Sequence, residues 1–322
     1  MADTCLLVGD LGGTNARFAL ADPKRTAYTH EFTVKCEDHE TAEHAISDYL
    51  ERIGSLQPEV ICLAAAGPVI ESSVRFINNH WHIDGRSLGR IFPSAKIRLL
   101  NDFEAIAYSI PFLAETDLMT IGLEQSSIPD ESNYTIAVLG AGTGLGEAGL
   151  MVREGHIHPI GGEGSHSGFA PENRLQQQVL DQLRERYERV SDERLLSGPG
   201  LENIYRAVCR IHGERDTHLA AAEIFQQALA DTNKQASQTL DLFYEALGQV
   251  AGNLTLTLGA WNGIYIAGGI VKRYPELLES SKFRSGFENK GRYRSIMEKI
   301  PTLLITHSEP GLLGASYCAR QL

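Results

Sequence analysis

Asp10 stands at the head of a short run, Gly9, Asp10, Leu11, Gly12, Gly13 and Thr14, whose residue types suit a polyphosphate. Such a ligand needs backbone N–H groups aimed at its oxygens, and only a turn without side-chain bulk lets the backbone come close. Gly12 and Gly13 give that freedom, and Thr14 and Asn15 add side-chain donors. Asp10 places a carboxylate where phosphate-bound Mg2+ could use it, through water, because magnesium keeps much of its hydration. No Gly-Lys-Ser/Thr follows, so the run is not a Walker motif. Taken alone, it reads equally well as a tight hairpin that uses glycine for conformational reasons.

Two further glycine turns follow. Gly142 and Thr143 sit in Leu-Gly-Ala-Gly-Thr-Gly-Leu-Gly, and Gly268 and Gly269 follow an apolar run. The second is not a dinucleotide fingerprint, because the continuation EAGLMVREG reads as a strand where that motif opens a helix. Asn101 and Asp102 end a short apolar strand, a favoured place for an active residue. A carboxylate there could take a proton from a hydroxyl attacking phosphorus. The same pair would also make a good helix cap ahead of Phe-Glu-Ala-Ile. Glu163, His166 and Glu193 have the types that recognise several hydroxyls at once, although Glu193 by itself reads as an exposed helix residue. His156, His158, Glu163 and His166 invite a zinc site, weighed here as the lesser reading. Lys272 and Arg273 receive no role.

The elements that must hold these residues are legible in outline. CLLVGDLGGTNARFALAD predicts strand, turn and strand, and TIAVLGAGTGLGEAGLMV repeats that layout. The repetition suggests two similar α/β domains facing each other across a cleft. Ala42, Ala45, Ile46, Tyr49, Leu50 and Ile53 form a helical stripe that stops at Gly54. Strands are expected at VICLAAAG, at Lys96–Leu100 and, as the final one, at GIYIAGGIV. Core-facing helices are expected over residues 174–189 and 236–259, and residues 114–133 as a surface excursion near a domain boundary. The expected division is residues 1–111 plus 307–322 as a small α/β domain and 112–306 as a larger one with added helices.

The 322 residues exceed what one core usually serves. A formal charge of -12 opposes a nucleic-acid partner, which calls for a basic face. Five scattered cysteines without a CxxC pair fit a reducing cytosol. No apolar run reaches a membrane span, and no signal-peptide layout precedes residue 8.

DLGGTNAR, LLNDFEA, LGAGTGLG, GGEGSH, ERLLSGPG and IAGGIV together resemble, in order and spacing, bacterial glucokinases of the hexokinase-like superfamily, over nearly the whole chain. That resemblance implies two duplicated actin/ribonuclease H-like domains flanking an active-site cleft. It implies phosphorylation of the glucose 6-hydroxyl by ATP with Mg2+, the first step of glycolysis, in a cytoplasmic homodimer. It assigns Asp102 as base, and Asn101, Asp102, Glu163, His166 and Glu193 as sugar contacts. Gly9, Asp10, Leu11, Gly12, Gly13, Thr14, Gly142, Thr143, Gly268 and Gly269 would hold ATP and its phosphates. A related kinase and repressor branch carries a CxCGxxGC zinc segment, and SGFAPENRLQQQ here has no cysteine. A kinase for another hexose or an N-acetylated amino sugar is the nearest alternative. Chaperone-like relatives of the fold lack the sugar-contact set. A sugar-responsive regulator would need a DNA-binding segment, and only seven residues precede Val8.

Overall fold

β1 (Leu6–Leu11) turns back at once into β2 (Asn15–Ala21), pairing antiparallel from Leu7↔Leu20 to Leu11↔Ala16. The protein is seen here in a computed structural model describing residues 5–76, 79–122, 132–214 and 218–322. Its contacts divide the chain into two units, Met1–Asp117 with Gly155–Gly161 and His307–Leu322, and Leu118–Glu154 with Gly162–Thr306.

The first unit continues with β3 (Tyr28–Lys35), β4 (Val60–Ala65), β5 (Ser73–Arg75), β6 (His82–Asp84) and β7 (Lys96–Asn101). Its main sheet has the order β3-β2-β1-β4-β7, and β1, β4 and β7 run parallel. Strands covered on both faces read as unbroken apolar runs, which is why β4 is buried throughout. Alternation along β1 decides which face each residue serves. Leu7 and Leu11 join a core with Ile46 and Tyr49 of the helix Ala42–Arg52. Leu6 and Val8 join a second core with Leu312 and Ala315 of the helix Pro310–Arg320. Asp10, next in that series, therefore belongs to the Pro310–Arg320 side.

The stripe from Ala42 folds as expected, with Thr41 accepting from His44 N–H at its start and Gly54 at φ 114° past its end.

The second unit holds β8 (Leu118–Thr120), β9 (Tyr134–Ala141), β10 (Leu145–Arg153), β12 (Ile264–Ala267) and β13 (Thr302–Ile305); β11 (His156–Gly161) follows β10. β9 and β10 form the expected second hairpin, and β12 runs parallel to β9 and β13. Against this sheet packs the helix Lys234–Leu258, ending on Gly259 at φ 61°, and the helix Gly198–Ile211 packs on that helix in turn. Two expectations need correction. The apolar run at 263–271 is a strand only to Ala267, because Gly269–Arg273 is helical, and β13 rather than β12 is the last strand. The helix from Arg174 ends at Arg184, short of Tyr187. Residues 123–131 of the expected excursion at 114–133 lie outside the described residues, and Leu118–Thr120 within it is a strand.

Candidate active site

In the first unit the carboxyl ends of three parallel strands come level. Leu11 pairs with Ala65, and Ala65 with Asn101, so Asp10 and Asp102 lie at one edge of the sheet, separated by β4. Asp10 is held from behind by the Pro310–Arg320 helix, whose Gly311 passes so close that a methyl there would stand 3.0 Å from Asp10 Oδ2. Burial pushes the Asp10 carboxyl above its usual value, and Arg17 opposes that rise. Arg17 itself pairs with Glu309 at 3.1 Å. Asp10 is half-buried beside the glycine turn, and a carboxylate there has the oxygen chemistry that magnesium takes, directly or through water.

Gly12 N–H donates to Asn15 O at 2.9 Å and closes the turn. Gly12 O in turn accepts from the Asn79 side chain (3.4 Å) and from Cys36 Sγ (3.7 Å). Gly13 is half-buried and Thr14 exposed. Gly9 and Leu11 are different in kind. Both lie within β1, in register with β2 on one side and β4 on the other. A Cβ at Gly9 would meet Leu63 Cδ2 at 2.8 Å, and Leu11 is fully buried, so both are packed into the core at the end of the strand that leads into the turn.

Asn101 and Asp102 divide the two sequence readings between them. Asn101 is the cap of the helix Asp102–Ser109, its Oδ1 accepting from Phe103 N–H (2.9 Å) and Glu104 N–H (3.4 Å). Its Nδ2 donates to Gly67 O at 3.2 Å, fixing the side chain from both ends. Asp102 is the first helical residue, half-buried, with Oδ1 accepting from Phe103 N–H at 3.0 Å.

In the second unit the Gly142 turn closes like the first, with Gly142 N–H donating to Gly144 O at 2.8 Å. Gly268, at φ 95°, adjoins it, because Ala267 pairs with Gly140 and a side chain at 268 would collide with the Ala141 backbone. Only glycine meets both demands there. Glu193 is not on a regular helix. It sits in the 3-10 turn Asp192–Arg194, half-buried, with Oε2 accepting from Leu145 N–H at 3.0 Å. The same oxygen lies where a Cβ on Gly144 would have to go. Glu193 O accepts from Ser197 Oγ (2.8 Å), and Ser197 caps the helix Gly198–Ile211, whose first N–H reaches back to Gly142 O (2.9 Å).

Glu163 and His166 bound a second 3-10 turn, Gly164–His166, and both are exposed. This turn is tied to the Glu193 segment: Asp192 N–H donates to Ser167 O at 3.0 Å, and Arg189 Nη1 donates to His166 O at 2.6 Å. Glu163, His166 and Glu193, distant in sequence, are thus joined through backbone. Among the described residues no three His, Cys, Asp or Glu side chains are grouped to hold a metal ion.

Two residues that sequence reasoning passed over lie beneath these segments. Glu147 and Asp192 are each only 9% exposed. Burial, then the charge of Asp192, pushes the Glu147 carboxyl up to about 7, and burial pushes Asp192 to about 7 against the pull of Arg189. Glu147 shares the register of core residues on β10, opposite Leu139. A charged residue at an apolar beat of a strand was the available signal.

A family model described as Glucokinase matches residues 7–322. The glucokinase of Colwellia psychrerythraea is 41% identical over 322 residues, covering 98% of this chain and 96% of that one. That of Klebsiella pneumoniae (strain MGH 78578) is 40% identical over 315 residues, at 98% and 97% coverage. Among solved structures, a glucokinase from an Antarctic psychrotroph superposes with a TM-score of 0.87 at 32% identity, covering 98% of each chain. A ROK family glucokinase from Streptomyces griseus, in complex with glucose and AMPPNP, shares the fold at a TM-score of 0.65 and 17% identity.

Proposed function

The chain belongs to the glucokinase family, and we propose that it moves the γ-phosphoryl group of ATP to the 6-hydroxyl of glucose by the residues named above. The product, glucose 6-phosphate, enters glycolysis. The observation that carries this reading is Asp102, a half-buried carboxylate at the carboxyl edge of a parallel sheet, on a helix start that Asn101 anchors at both ends of its amide.

Asn101, Asp102, Glu163, His166 and Glu193 contact the sugar. Asp102 accepts the proton of the 6-hydroxyl as its oxygen approaches phosphorus. Asn101, held by Gly67 and by the helix it caps, keeps the neighbouring carboxylate in place. Asp10, Gly12, Gly13, Thr14, Gly142 and Thr143 receive the phosphates, and Gly268 and Gly269 lie along the nucleoside. Because Gly12 N–H is already committed to Asn15 O, the amides of Gly13 and Thr14 are the ones offered to oxygen. Asp10 would hold Mg2+ through water, which supplies neutralisation of charge on the transferring phosphoryl group.

The duplicated actin-type plan has support in sheet order. β2-β1-β4-β7 and β10-β9-β12-β13 each set an antiparallel hairpin beside two parallel strands, with a glycine turn between the hairpin strands. A homodimer in the cytoplasm is part of the same reading; no described helix is long and apolar enough to cross a membrane.

The deciding experiment is a coupled assay on a panel of hexoses with Mg-ATP, run beside Asp102→Asn. Glucose should give the highest kcat/KM. The variant should lose about 10²- to 10⁴-fold in kcat while folding normally. A better substrate than glucose, or near-normal turnover by folded Asp102→Asn, would end the corresponding assignment.

A further inference from the structure

We propose that Glu147 is a positioning residue for glucose binding, its carboxylate forming the stop against which the Gly164 backbone rests so that Glu163 and His166 are presented together. The inference rests on the reading of Glu163 and His166 as sugar contacts.

Gly164 is the middle of the argument. It follows Glu163 and precedes His166 by two residues, and its φ is not among the positive values that demand glycine. What a side chain there would meet is the Glu147 carboxylate, because an added Cβ would overlap Glu147 Oε2 and lie 3.2 Å from its Cδ, and Glu147 is buried and has to move to make room. The acid on β10 and the glycine of the turn therefore form a matched pair. On its other flank the turn is tied to the 189–193 segment through Ser167 O, His166 O and the Gly168↔Ser191 bridge. The turn is thus gripped between a buried carboxylate and a backbone lattice, and a small displacement of such a support carries a large cost in binding geometry.

The grip is also charge-sensitive. Asp192 acts on Glu147 within the buried region, and the charge of Arg189 acts on Asp192. The other ionisable groups on the packed segments are Glu163 and His166 on the turn, Glu193 and Arg194 beyond Asp192, Arg153 at the far end of β10, and His156 and His158 on the neighbouring β11. Both acids titrate close to pH 7, so the buried carboxyls are protonated below neutrality and ionise above it. Full ionisation places two like charges behind the turn and pushes it outward.

A double-mutant cycle with a pH series tests this. Gly164→Ala should raise the glucose KM by roughly tenfold or more, with kcat at saturating glucose changed much less. Glu147→Ala in the same chain should restore most of the loss, because the space is vacated; additive effects would overturn the proposal. Glu147→Gln, close in shape and unable to ionise, serves where the alanine variant folds poorly. Its glucose KM should stay flat between about pH 6 and 8 while that of the unsubstituted protein rises several-fold, and an unchanged profile would overturn the assignment. Glu163→Gln separates the two levels of argument. If it leaves KM unaltered, the sugar-contact reading falls and this inference with it; if it raises KM and the cycle is additive, only the role of Glu147 falls.

Discussion

Glu193 holds a backbone amide with the same carboxylate that is proposed to meet the sugar, which makes it informative to alter. Its Oε2 holds Leu145 N–H at the close of the second glycine turn, so removing the charge weakens the turn as well as any sugar contact. Glu193→Gln is expected to raise the KM for glucose and that for ATP together, whereas Glu163→Gln, on an exposed turn with no such backbone tie, should raise the glucose KM alone; steady-state kinetics with each substrate varied would separate them. Glu147 and Asp192 also shape the pH dependence of stability. Their folded carboxyls titrate near 7, above the ordinary range, so the folded state binds more protons than the unfolded one between about pH 4 and 7. Their stabilising contribution is full below the ordinary carboxylate range and is lost as pH rises through about 7. Glu147→Gln should therefore raise Tm at pH 8 by at least ~3 °C and have little effect at pH 5, as followed by thermal unfolding at both.

At the scale of elements, the Asp102–Ser109 helix connects chemistry to packing. Asn101 supplies its cap, and Asn101→Ala should cost about 1 kcal/mol from the lost cap, along with a fall in kcat as Asp102 loses its anchored start. Across from it, Gly314 of Pro310–Arg320 lies against Ala105 O so closely that a methyl would overlap the carbonyl. That helix also carries Gly311 against Asp10. Gly314→Ala is expected to destabilise the protein by ~1–3 kcal/mol through overpacking, and to lower kcat because both acidic residues depend on the same helix pair. Denaturant unfolding beside the coupled assay would check this; a stable variant of full activity would contradict it.

For the whole molecule, ligand binding should appear as stability. Glucose at 100 times its Kd ought to add about 2.7 kcal/mol to the folded state, seen as a rise of several degrees in a thermal melt, with any hexose that the substrate panel finds poor giving less at the same concentration. The molecule's charge of -12 leaves anion binding to local backbone and to a cation, in keeping with glycine turns and Asp10 rather than a basic groove. The second unit also uses glycine for close helix contact: a Cβ at Gly252 of Lys234–Leu258 would meet Phe287 O at 2.7 Å.

By itself the sequence determined the two hairpins, the stripe from Ala42, the strand ending at Asn101 and the residue types of a phosphate and hydroxyl site. Each of these is local: alternation, helical spacing and glycine at a turn act within a few residues. The order of motifs was enough to place the chain among the glucokinases. Tertiary structure decided what depends on neighbours distant in the chain. It built Gly9 and Leu11 into the core, because β1 is paired on both sides. It divided Asn101 from Asp102 as cap and helix start, and put Glu193 on Leu145 N–H, 48 residues away. It also disclosed Glu147 and Asp192, whose character comes from burial, and burial is a property of the packed chain rather than of any segment of it.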